Sequence, residues 1–244
     1  MIDVHCHIDQ FNKPPVVAQN AENSGIVTIA VTSLPEHFKL GYPHLLNFKF
    51  IRLALGHHPM LVGKNTFDED LFRSLATKTS YIGEIGLDFS VKNTSLRQKQ
   101  IDVLVKIFEI VNDRPRFISL HSRRAEKSLY DILTDHKIEK AVFHWYSGPL
   151  TLIDKVLGAG HFFSINPAMI KSKNGQKIIE RIPSERVLTE TDGPYVKIKG
   201  NPAQPKDVNL VISYLKKVWN TTDEEAELKI RENFDRIIQY IKGK

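Results

Sequence analysis

The stretch Asp3-Val4-His5-Cys6-His7 constrains this chain more than any other. Val4, Cys6 and Ile8 alternate with Asp3, His5 and His7, the period-two pattern of a half-buried strand. Residues two apart on a strand share a face, so His5 and His7 present two imidazoles side by side. A lone histidine here would read as a core residue. A pair is costly to bury without partners, and it supplies half of the donor set that zinc, manganese or a similar divalent ion takes. Cys6 points to the opposite face and is assigned to the core.

Seven further apolar, β-branched runs predict strands over residues 25–32, 50–55, 81–87, 116–120, 140–143, 161–165 and 186–190. Helical patterns fall between them over 14–23, 35–48 (interrupted at Gly41 and Pro43), 71–77, 95–112, 123–135, 150–157 and 177–181. Two more close the chain, over 208–219 and 224–241. The stretch 95–112 is the most regular, with Ile101, Leu104, Val105, Phe108 and Val111 on one face. Strands alternating with helices argue for a parallel sheet with crossover helices, and eight strands close an α/β (β/α)₈ TIM barrel of about 250 residues. A doubly wound open sheet is the alternative. No linker divides the chain, so residues 1–244 are read as one domain.

The suspicious polar residues then fall on one rim. His5 and His7 lie on the first strand, His58 follows the third, Glu84 is within the fourth, and His121, His144 and Asp192 end the fifth, sixth and eighth. Barrel active sites occupy the C-terminal ends of the strands. Four histidine ligands and two carboxylates exceed one tetrahedral zinc and suit two ions about 3.5–4 Å apart, bridged by a carboxylate. Glu84 is the expected bridge, with His5, His7 and Asp192 on one ion and His121 and His144 on the other.

Composition narrows the class further. The formal charge is +6 and the pI near 9.2, a mild basic excess that suits a polyanionic partner. Nothing approaches the ~18 consecutive apolar residues of a membrane span. The chain enters a strand without a basic-then-apolar leader, and its one cysteine permits no internal disulfide, so a reducing cytoplasm is the expected compartment.

The motifs Asp-Val-His-Cys-His (residues 3–7), Gly-His-His-Pro (56–59), Gly-Glu-Ile-Gly-Leu-Asp (83–88), Leu-His-Ser-Arg (120–123), His-Trp-Tyr-Ser-Gly (144–148) and Thr-Glu-Thr-Asp-Gly-Pro-Tyr (189–195) resemble the TatD family of metal-dependent deoxyribonucleases. The resemblance runs from Ile2 to about Ile238 and implies a TIM barrel of the amidohydrolase superfamily with two divalent metals, and exonucleolytic or other phosphodiester cleavage of DNA. Carried over, it makes His5, His7, Glu84, His121, His144 and Asp192 the metal ligands, and places His58 towards the substrate phosphate. Trp145 stands where the family has a small residue, and the loop Lys199–Pro205 lacks the family's glutamate. These departures, with the shorter chain, point to a divergent group found in anti-phage defence cassettes (the QatD type), where protein partners are expected.

The expected chemistry is metal-assisted hydrolysis, the ions being Zn, Mn, Mg or Co. Asp192 accepts a water proton, and His58, Arg123, Lys197 and Lys199 bind phosphate oxygens. Trp145 stacks a base of single-stranded DNA or a DNA end, whereas Tyr146 is read at least as well as core. Two other classes remain: a two-metal hydrolase of a small ester, lactone or amide, and a partner-bound scaffold with a residual metal site. Salt-sensitive turnover separates the first from a nuclease, and lack of turnover marks the second.

Overall fold

A computed structural model describes residues 1–243. Eight parallel strands form the barrel: β1 (Ile2–Cys6), β2 (Val27–Val31), β3 (Ile51–Ala54), β4 (Tyr81–Gly86), β5 (Phe117–His121), β6 (Val142–His144), β7 (Phe162–Ile165) and β8 (Val187–Thr189). Around them lie α1 (Pro14–Asn23), α2 (Pro35–Leu45), α3 (Glu69–Ala76), α4 (Thr94–Val111), α5 (Glu126–Asp135), α6 (Leu150–Gly158) and α7 (Lys173–Arg181), then α8 (Val208–Trp219) and α9 (Asp223–Ile241). Among these residues no helix is long and apolar enough to cross a membrane.

Strands β1–β3 and β4–β8 are each continuously hydrogen-bonded, and two seams join the arcs. At the first, Leu55 bridges Ile82, and Gly83 N–H donates to the Leu55 carbonyl at 2.9 Å. Gly56 permits this closeness, because a Cβ there would lie 1.8 Å from the Thr32 carbonyl and 2.6 Å from the Glu84 nitrogen. The chain of Glu84 is thereby drawn against the ends of β2 and β3. At the second seam, the N–H of Asp192 donates to the His5 carbonyl at 2.9 Å and that of His7 to the Gly193 carbonyl at 2.8 Å. Barrel strands are covered on both faces, so Asp3, His5 and Glu84 are as buried as Val4, Ile82 and the free thiol of Cys6.

Helix boundaries depart from the periodic pattern where a single backbone torsion decides. The helix expected from Arg123 begins at Glu126, because Arg124 takes a left-handed φ of 57°. Helix α7 starts four residues earlier than its apolar pattern, where Ser172 accepts the Gly175 N–H as an N-cap. Gly41 and Pro43 do not interrupt α2; Pro43 sits in the last turn, and the carbonyl it leaves free belongs to exposed Lys39. After β8 a small antiparallel hairpin, β9 (Lys197–Ile198) and β10 (Asn201–Pro202), was not visible in the pattern.

Candidate metal centre

The strand ends converge on Glu84, whose carboxylate stands between two groups of donors. Its Oε2 lies 3.0 Å from His7 Nε2 and 3.6 Å from His5 Nε2. Asp192 Oδ1 completes this inner group, 3.7 Å from His5 Nε2 and 3.8 Å from His7 Nε2. The other oxygen, Oε1, lies 2.7 Å from His121 Nδ1 and 3.5 Å from His144 Nε2, an outer group nearer the opening. The expected bridge and ligands are thus brought together on the rim.

The imidazoles are oriented by partners on their far side. His5 Nδ1 pairs with Ser119 Oγ at 2.7 Å and His144 Nδ1 with Glu190 Oε1 at 3.1 Å, so Nε2 of each turns inward with its lone pair free. The two rings stack at 3.8 Å, and burial pushes both down to about 3, keeping them neutral. His5 Nε2 and His7 Nε2 therefore face each other at 3.3 Å with a carboxylate on either side. His5, His7 and Glu84, and likewise His5, His144 and Asp192, bring one donor atom each within 4.8 Å of the others, buried groups that could hold a divalent cation.

His121 is treated differently. Its Nε2 pairs with Asp88 Oδ2 at 2.9 Å while Nδ1 faces Glu84, and although burial would lower it, the two carboxylates carry it up to about 9. Burial alone would raise Glu84, yet the imidazoles around it, His58 foremost, hold it well below the usual carboxylate range. Asp192 goes the other way, raised by burial and by the nearby charges of Glu84, Glu190 and Asp3. His58 reaches Glu84 Oε2 from the open side at 3.4 Å, and its Nδ1 accepts the Met60 N–H at 3.1 Å. In the neutral ring Nε2 thus carries the proton, which makes His58 a donor rather than a ligand.

Four participants escaped the sequence reading. Asp3 accepts from the Thr191 N–H at 3.0 Å and braces β1 against β8. Glu190 gathers Asn166, Ser164, the Trp145 N–H and His144 on one buried carboxylate, which burial raises to about 7. Asp88 and Ser119 hold His121 and His5. Asp3 and Glu190 each sit two residues before a ligand in the sequence, but what each carboxylate holds depends on a neighbouring strand and is not carried by that spacing.

Above the centre opens a cleft of about 620 Å³. His58, Arg123 and Trp145 line it, together with Met60, Leu61 and Tyr195. Trp145 is half-exposed on a left-handed backbone with φ of 39°, while Tyr146 is buried and donates its hydroxyl to the Pro149 carbonyl at 2.8 Å. Lys197 is exposed on β9 and is not part of the lining.

A model of the family described as TatD related DNase matches residues 2–239. An uncharacterized metal-dependent hydrolase of Methanocaldococcus jannaschii is 30% identical over 95% of this chain and 94% of its own length. The human deoxyribonuclease TATDN3 is 25% identical over 93% of this chain and 90% of its own. Among solved structures, the TatD homolog YjjV of Escherichia coli superimposes with a TM-score of 0.83 at 23% identity, over 96% of this chain and 95% of that one.

Proposed function

The chain belongs to the family of TatD-related DNases, and on that premise we propose that it hydrolyses DNA phosphodiesters with two divalent ions sharing Glu84. The observation that carries this reading is the division of one carboxylate, Oε2 towards His5 and His7 and Oε1 towards His121 and His144. A carboxylate has lone pairs enough for two ions, whereas an imidazole offers one. His5, His7 and Asp192 would hold the inner ion, and His121 and His144 the outer. Bound there, the ions supply Lewis acidity and a water of lowered pKa.

The chain's own residues do the rest. Asp192 takes the proton of the attacking water, since its carboxylate borders the inner donors and the cleft. His58 donates Nε2–H to a non-bridging phosphate oxygen, and Arg123 grips the phosphate from the rim. Trp145, whose backbone N–H donates to Glu190, offers its indole face to an unstacked base, which favours single strands and ends over paired interiors. A panel of labelled oligonucleotides with Zn, Mn, Co and Mg, combined with metal analysis, tests this. Turnover that needs no added or bound metal, or two equivalents that leave all DNA intact, would end it.

One observation favours a second reading, a small ester or lactone: among the described residues lining the cleft, Arg123 is the one lysine or arginine, beside apolar Met60, Leu61, Trp145 and Tyr195. Salt separates the two, because hydrolysis of a small neutral substrate carries no phosphate-contact dependence. A nuclease in the cytoplasm would also serve an anti-phage cassette. Phage plating equally well on cells with wild-type protein and with Glu84→Gln would dismiss that role.

A further inference from the structure

The hairpin after β8 has no part in the centre described so far, yet it grows out of the loop that presents Asp192. The N–H groups of Tyr195 and Val196 donate to the Asp192 carbonyl at 2.9 and 3.1 Å, and the Ala203 N–H returns to the Val196 carbonyl at 2.9 Å. Ala203 is buried, and a Cβ on Gly193 would meet its carbonyl at 2.0 Å, so the hairpin is seated directly on the ligand loop. Lys199 and Gly200, with φ of 49° and 84°, turn it.

Side chains alternate along this segment. Val196 and Ile198 face inward, while Tyr195, Lys197 and Lys199 are exposed. Tyr195 also lines the cleft, with its ring edge-on to His7 at 5.0 Å. In chain order from the Asp192 loop, the exposed groups are therefore an aromatic ring, an ammonium and a second ammonium. The chain is extended through Ile198, which sets Lys197 and Lys199 about 7 Å apart along the backbone, close to the phosphate spacing of an unstacked single strand. Neither lysine has a carboxylate partner among the described residues.

We infer that this hairpin is a guide rail for single-stranded DNA: Tyr195 stacks the base beside the scissile phosphate, and Lys197 and Lys199 hold the next two phosphates outward. The inference rests on the reading of the cleft as a DNA phosphodiesterase and adds a direction and a length to it. The strand leaves the cleft over β9, and affinity grows for the first few nucleotides beyond the cut. A rail rooted on the Asp192 loop holds the strand in register with the water-activating carboxylate.

The test is a length series of single-stranded oligodeoxynucleotides, from dinucleotide to octanucleotide, with KM, kcat and salt dependence measured for each. For the wild type KM should fall by at least about fivefold along the series, the worth of one stacked base and more. In Lys197→Gln/Lys199→Gln the fall should flatten, and the salt slope on the octanucleotide should drop by about 1.4, as for two lost single-strand phosphate contacts. Tyr195→Ala should raise KM more than it lowers kcat, with Tyr195→Phe restoring the wild-type value. Lys78→Gln/Lys137→Gln removes the same charge at the opposite end of the barrel and should leave the series intact. A length dependence that survives the hairpin variant, or that the distant variant abolishes equally, overturns the rail. Wild-type protein that cleaves DNA of no length overturns the reading of the cleft itself, and the rail with it.

Discussion

The two ends of the barrel bury polar groups in opposite ways. At the end where strands begin, buried donors are answered mainly by backbone carbonyls. Arg116 donates to the carbonyls of Val111, Ala76 and Thr79 and to Asp113. Asn233 donates to the carbonyls of Ser184 and Val187, and His161 Nδ1 accepts the Ala141 N–H. At the end where strands finish, the buried groups face one another: His5 against His7, Glu84 among imidazoles, Asp192 near Glu84, Glu190 and Asp3. A satisfied polar group contributes to stability, whereas crowded like groups cost stability and supply a cation site. One end is built for the fold and the other against it.

Glu84→Gln should break the comparison most visibly if it is wrong. With the shared charge gone, both ions should weaken and hydrolysis should fall by orders of magnitude. Near-normal activity would remove Glu84 from its bridging place. Asp192→Asn comes next: the rate should drop about 10²- to 10⁴-fold while metal stays largely bound. Asparagine also tolerates the left-handed backbone that Asp192 adopts, so in chelator the variant should melt no lower than wild type. A rate within about threefold of wild type, with metal retained, excludes Asp192 as the base.

The other end should answer in stability alone. Arg116→Met strands three carbonyls and should lower unfolding free energy by about 3 kcal/mol, measured in urea, with kcat of the folded protein unchanged. A comparable stability loss in Asp192→Asn would erase the contrast between the ends. The smallest effect concerns His161, which burial, and then Arg186, push down to about 4. Its unfolded value is higher, so the unfolded chain gains the proton first as pH falls. Stability from this group is full above about pH 6.5 and is lost progressively towards pH 4. His161→Asn should flatten that portion of a stability–pH curve, and an unchanged curve would mean the histidine titrates alike in both states.

Legibility followed the range of the interactions. His5, His7, Glu84, His121, His144 and Asp192 could be seen as one rim because strand ends in a barrel share a face, so position along the chain is nearly position in space. Asp3 and Glu190 could not, since a buried carboxylate reveals its duty only when its partner strand is beside it. The hairpin at 197–202 escaped because two-residue strands carry no period, and the late start of α5 because Arg124 turns left-handed without a glycine to announce it. Trp145 was noticed as an aromatic beside a ligand, but not its anchoring by Glu190.

The seam between β1 and β8 has a temporal meaning as well. Asp3 meets Thr191 across 188 positions of chain, and Thr189 bonds the Ile2 carbonyl across 187. Such contacts form late, after the entropy of a very long loop has been overcome. His5 and His7 precede Asp192 by 187 and 185 positions, so the inner donor set is complete only after a very long loop has closed. A nascent or truncated chain thus holds only a fragment of the inner donor set. The complete donor set arrives with ring closure, so hydrolytic competence and the closed barrel form together.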